Sequence, residues 1–106
     1  DLESQIAVQL YNASGHIESS QERVKVARAA RDLAARNMKA EEKLLQYGAS
    51  STFLVLDHQE RLSQARLDEL SALVSLNNAV ANYERLAGRT DFDATAERLL
   101  TAEASP

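Results

Sequence analysis

Gln46-Tyr47-Gly48-Ala49-Ser50-Ser51-Thr52-Phe53-Leu54-Val55-Leu56-Asp57 decides the fold of this chain. The stretch holds one of only three glycines in 106 residues and lies near the middle. Long helical patterns run on both sides of it. Gly48 ends the first pattern, because glycine accepts the left-handed conformation needed just past a last helical turn. Ser50, Ser51 or Thr52 caps the next helix, since a short hydroxyl side chain accepts a bond from its free N–H groups. The chain therefore reads as all-α: a long antiparallel, coiled-coil-like hairpin with helices over about 2–47 and 53–87 and a tip at 48–52. Such a tip is small and exposed to solvent, which makes it the candidate docking surface.

Working back from the tip, residues 2–47 repeat apolar side chains every three or four positions. One stripe runs Leu2, Ile6, Leu10, Ala13, Ile17, Ser20, Val24, Ala27. A second, Val26, Ala30, Leu33, Asn37, Ala40, Leu44, Tyr47, lies beside it in the later turns. Each spacing places its side chains on one helix face. Asn12-Ala13-Ser14-Gly15 is the weak point, because glycine inside a helix costs about 1 kcal/mol relative to alanine. The periodicity from Leu10 to Ile17 predicts that the helix continues through it, bent there. A break with a short first helix is the alternative.

Beyond the tip, one stripe is Leu62, Ala65, Glu69, Leu73, Leu76, Val80, Tyr83, Ala87, and another is Leu56, Ser63, Leu67, Leu70, Val74, Asn77, Ala81. Both keep the spacing of a left-handed coiled coil. Two seams on each helix mean partners on two sides. A closed wall of helices needs that, and so does a three- or four-helix bundle. Gly88 is expected to stop the second helix. Thr90-Asp91-Phe92-Asp93 resembles a capping-box start, so a short helix over about 92–102 follows, with Phe92, Ala96, Leu99 and Leu100 apolar. The tail Ala104-Ser105-Pro106 is expected to fray.

Composition narrows the function. One domain fits this length. The chain is 44% hydrophobic but only 5% aromatic, with no Trp and a single Pro at its last position. Alanine supplies much of the apolar content, which suits helices packed closely side by side. A lone helical hairpin buries little surface and leans on neighbours, in an oligomer or a larger parent protein. Twelve basic and sixteen acidic residues are interspersed, for a net charge of −4. No basic stripe is present, which argues against a nucleic-acid partner. The lack of cysteine excludes disulfides and thiolate metal sites. No apolar run approaches the roughly 20 residues of a spanning helix, and no signal-peptide pattern occurs in these residues, so any targeting signal is expected to lie outside them. The chain begins inside a helical pattern without an initiator Met, as an excised fragment would.

Catalytic chemistry is sparse. His16 and His58 lie far apart, and neither opens a metal-ligand motif. No nucleophile elbow and no phosphate-cradling glycine loop occurs. Carboxylates such as Glu41, Glu42, Asp68 and Glu69 read as a solvated face. Asp32 with Arg36, and Asp57 with Arg61, are spaced to pair at i, i+4. The expectation is a chain that is not an enzyme and takes no cofactor and no metal.

Tyr47-Gly48-Ala49-Ser50-Ser51-Thr52-Phe53-Leu54-Val55-Leu56-Asp57 resembles the hairpin tip of the TolC family of outer-membrane efflux proteins. In that family a basic or aromatic residue precedes a glycine, a hydroxyl-rich turn follows, and an aspartate-valine-leucine-aspartate type run comes after. Gln59, Leu62, Ala65 and Arg66 resemble the continuation of that motif. Tyr83, Leu86 and Gly88 resemble its ending in looser form. The alanine-rich segment Ala27-Arg28-Ala29-Ala30-Arg31-Asp32-Leu33-Ala34, with Ala40-Glu41, is similar to the helix before the tip. The likeness covers residues 1–88 and is greatest to the second of the family's two structural repeats.

The resemblance implies a segment of a trimeric α-barrel that crosses the periplasm of a Gram-negative type envelope below an outer-membrane β-barrel. It implies that the tip, Tyr47, Gly48, Ala49, Ser50 and Ser51, docks a periplasmic adaptor (membrane-fusion) protein and, through it, an inner-membrane pump that exports small molecules. It implies that Leu54 and Asp57 lie at the pore entrance, where a ring of carboxylates attracts cations and repels anions. Membrane contact is then made only by parts outside this segment. The sequence departs from the family at Leu54, where many members carry aspartate, so an apolar constriction is the alternative to an acidic ring. Two other readings remain open. One is the coiled-coil hairpin of an adaptor protein, although its tip pattern of arginine, leucine and hydroxyl residue is absent near Gly48. The other is a generic helical scaffold.

Overall fold

The computed structural model describes residues 1–104. Two helices account for nearly all of them: α1, Leu2–Gln46, of 45 residues, and α2, Thr52–Ala104, of 53 residues. No strand occurs among the described residues, so the chain is all-α. It forms two compact units, Ser20–Leu76 and Asp1–Ser19 with Asn77 onward.

In the unit Ser20–Leu76 the last turns of α1 meet the first turns of α2. On α1 the covered positions, apart from Ala35 and Glu42, are Ser20, Val24, Ala27, Arg31, Ala34, Met38, Glu41 and Leu45. They alternate steps of four and three, which is the seven-residue repeat of a coiled coil. On α2, apart from Asp57, Leu73 and Ser75, they are Val55, His58, Leu62, Ala65, Glu69, Ala72 and Leu76, with the same repeat. Two cross-helix contacts give the direction. Arg31 meets Glu69 and Glu41 meets His58, so advancing ten residues along α1 retreats eleven along α2. The helices are antiparallel.

The seam is narrow. Its most buried apolar residues are Val24, Val55, Leu62 and Ala72, and Ser20, at 1% exposure, is the one side chain fully enclosed among the described residues. The first stripe of α1 does not give way after Ala27; it continues through Arg31, Ala34, Met38 and Glu41 as the intrachain seam. On α2 the seam centres on Ala72, with Leu73 half-buried beside it. Alanine in the middle lets the backbones approach, and the larger leucine covers the flank.

In the second unit, Ile6, Leu10, Ala13 and Ile17 of α1 are covered, together with Ala79, Val80, Leu86 and Ala87 of α2. Leu2, Ile6 and Leu10 share a groove with Ala94, Ala96 and Leu100.

Three expectations about boundaries change. α2 begins at Thr52, so the turn is 47–51. Gly88 does not stop α2, and the separate helix over 92–102 is the continuation of the same element. Glycine ends a helix where a left-handed residue satisfies the last carbonyls; among the described residues positive φ occurs only at Gly48. Gly88 stays helical at a modest cost, offset by the helix formers after it (Arg89, Ala94, Ala96, Glu97, Arg98) and by the half-buried Ala96. Thr90-Asp91-Phe92-Asp93 is therefore helix interior and not a cap, and Phe92 is exposed. Gly15 likewise lies inside α1, which runs unbroken. Of the tail expected to fray, Ala104 is the last residue of α2, while Ser105 and Pro106 lie outside the described residues.

A Cβ added at Gly15, Gly48 or Gly88 meets no atom within 4 Å, so backbone conformation alone decides each substitution. Gly88→Ala is expected to raise stability by about 1 kcal/mol. Gly48→Ala is expected to lower it by roughly 1–2 kcal/mol, because φ is +75° there. Denaturant unfolding of both variants checks the signs. A loss of stability for Gly88→Ala would mean that α2 ends there after all.

Candidate docking tip

The turn is built from backbone hydrogen bonds that α1 leaves unmade at its end. The Gly48 N–H donates to the Leu45 carbonyl at 3.0 Å, and the Ala49 N–H to the Leu44 carbonyl at 2.8 Å. This is the paired pattern of a Schellman motif, and it requires the left-handed residue that Gly48 supplies. Three residues later α2 starts. The Leu54 N–H donates to Ser51 Oγ at 3.2 Å and the Val55 N–H to the Ser51 carbonyl at 3.2 Å. Of the three candidate caps, Ser51 therefore does the work.

The side chains at the turn divide by exposure. Tyr47 is 84% exposed and Phe53 78%. Between them Gly48, Ala49 and Ser51 are small and exposed. An aromatic on each side of a small-residue turn offers apolar contact area with little steric obstruction between. Ser50 differs from its neighbours: it is half-buried, and its Oγ donates to Glu41 Oε1. Its hydroxyl is thus engaged within the chain. Leu54, on the first turn of α2, is exposed. Asp57 is partly covered and paired with Arg61, Oδ2 to Nη2 at 3.1 Å, as its spacing foretold. The carboxylate is accompanied by a cation, which weakens any purely acidic character at this position.

Two polar layers cross the seam above the turn. Glu41, with a side chain 17% exposed, holds Ser50 through one oxygen, and its other oxygen lies 3.8 Å from His58 Nε2. Farther along, Glu69, 13% exposed, accepts from Arg31 Nη1 at 2.8 Å, and Arg28 Nε stands 3.7 Å from its second oxygen. That second oxygen has no hydrogen bond among the described residues. Arg31 also donates to Asp32 at 3.1 Å. Asp32 is thus taken by Arg31 and not by Arg36. The hydrogen bond to Asp32, and next the attraction of Glu69, push the Arg31 guanidinium above its ordinary pKa.

Glu41, Glu42 and Glu69 are half-buried and do not belong to a solvated face, whereas Asp68 is exposed and bonded to Gln64 at 3.0 Å. The signal that could have found Glu41 was the seven-residue repeat carried on from Ser20, Val24 and Ala27. His58 lies in the same seam and His16 is exposed. Phe53 was part of the quoted motif, but its exposure next to the turn was not foreseen. Among the described residues no group of three or more His, Asp or Glu is arranged to hold a metal ion. Among the described residues no helix is long and apolar enough to cross a membrane.

Comparison with protein-family models, with curated proteins and with solved structures yields no match in any of the three.

Arg31 and Glu69 are not equivalent in this arrangement. Arg31→Ala leaves a largely covered carboxylate without its hydrogen bond and is expected to destabilise the chain clearly. Glu69→Leu places an apolar side chain at a seam position while Arg31 keeps Asp32 and solvent, so stability is expected to stay level or rise. Urea midpoints of the two variants decide it; equal losses would mean that the carboxylate is not the costly partner.

Proposed function

We propose that this chain is the periplasmic helical hairpin of a TolC-type outer-membrane efflux channel, with its turn docking against a periplasmic adaptor protein. The observation that carries the reading is a second apolar row on each helix of the unit Ser20–Leu76. On α1, Val26, Leu33 and Leu44 are exposed; on α2, Leu56, Leu67, Leu70 and Val74 are exposed. None of these takes part in the seam that joins the two helices. A free hairpin needs one seam. Rows of large apolar side chains left facing water mark surfaces meant for other partners. A trimeric α-barrel would give each helix a neighbour on its second side.

The turn supports the same reading. Tyr47 and Phe53 present apolar area, and Gly48 and Ala49 allow close approach of a partner backbone. Leu54 and the Asp57–Arg61 pair would stand at the entrance of the channel. With Leu54 where many relatives of this type carry aspartate, and with Asp57 compensated by Arg61, the entrance would discriminate by apolar constriction more than by a ring of charge. The chain would carry no catalytic role, and the exported small molecule would be selected elsewhere in the pump.

The test is a photo-crosslinking residue in place of Tyr47 in the full-length parent protein, irradiated in intact cells. The expected product is a crosslink to the hairpin of a periplasmic adaptor. Crosslinks to an outer-membrane channel would instead make this chain the adaptor, and a product with neither would sink the transport reading.

A further inference from the structure

Hydrogen bonds at the turn fix Gly48, Ala49, Leu54 and Val55, but none of them involves Ser50. Ser50 stands between the end of α1 and the cap of α2, and its placement comes from a side chain nine residues earlier, Glu41. That carboxylate occupies a seam position two turns back on α1. One oxygen accepts the Ser50 hydroxyl, and the other faces His58 on the second turn of α2, at 3.8 Å. Three elements thus meet on one side chain: α1, the turn and α2. A carboxylate with so little exposure needs partners, because loss of water around a charge is costly unless hydrogen bonds replace it. Here the turn itself supplies one. A hydroxyl bonded to an ionised acceptor is also held more firmly than one bonded to a neutral group.

We infer that Glu41 is a positioning residue for the docking turn: it draws Ser50 inward and so presets the outward display of Tyr47, Ala49 and Phe53. The inference rests on the docking role proposed above for that turn. Without Glu41, Ser50 loses its inward tether, and the Schellman bonds before it and the Ser51 cap after it open more often. Neighbouring charges do not substitute. Asp57 is occupied by Arg61, and Glu42, the next residue on α1, points its Cα–Cβ bond a hundred degrees or so around the helix from Glu41.

The experiment has two readouts on the full chain. The first is amide hydrogen exchange of Gly48, Ala49, Leu54 and Val55, with the α1 amides around Arg28–Arg31 as an internal control. Glu41→Ala is expected to speed exchange at the turn by roughly tenfold while the control amides change little. Glu41→Gln, which keeps an acceptor for Ser50, is expected to restore most of the protection, and Ser50→Ala to reproduce the Glu41→Ala effect at the turn. Unchanged exchange at the turn in Glu41→Ala, or an equal rise at the control amides, would overturn the inference. The second readout is the yield of the crosslink from position 47 in the Glu41→Ala parent. It is expected to fall, and an undiminished yield would overturn the presetting of the docking surface. If the exchange results hold but wild-type crosslinking finds no adaptor, the docking reading fails while the tether from Glu41 to the turn stands.

Discussion

The backbone at Gly48 is the constraint on which both helices depend. The chain must reverse direction in five residues, and it does so by placing one residue at φ +75°. A side chain there would press against the backbone of its own turn, so glycine is the residue that meets the requirement at least cost. Because the reversal is short, it also sets which residues of α2 face which residues of α1. Arg31 reaches Glu69, and Glu41 reaches His58, only in the register that this turn allows.

The seam that follows from this register is thin. Alanine and serine occupy many of its positions, and the two polar layers interrupt the rest. Polar residues at seam positions give up hydrophobic stabilisation and in return disfavour slipped pairings, since a shift by one repeat would strand Glu69 or Glu41 against apolar neighbours. The same economy leaves Val26, Leu33, Leu67, Leu70 and Val74 in water. That exposed apolar surface is what the proposed assembly would cover.

The turn and the outer rows make complementary demands. The rows call for neighbours along the sides of the helices. The turn, flanked by Tyr47 and Phe53 and held from behind by Glu41, calls for a partner at the end. On the proposed reading, a wall segment of a helical channel that docks at its tip would meet both demands.

Much of this was legible in the residues before any coordinates. Gly48 followed by serines marks a reversal because the conformational preference of glycine and the capping chemistry of serine act locally. The two apolar rows on each helix are visible because helical periodicity is a property of the chain alone. The Asp57–Arg61 pair follows from spacing in the same way. What spacing could not rank was which row would face the other helix, since Val24 and Val26 look alike until a partner is present. Gly88 misled for a related reason: a glycine marks a helix end only if the surrounding structure uses its left-handed freedom, and here the neighbouring helix formers and the cover over Ala96 keep α2 going. Glu41 and Glu69 read as surface charges because a carboxylate is hydrated by default. Their burial is decided by partners far away in sequence, Ser50, His58 and Arg31, that only the folded hairpin brings within reach.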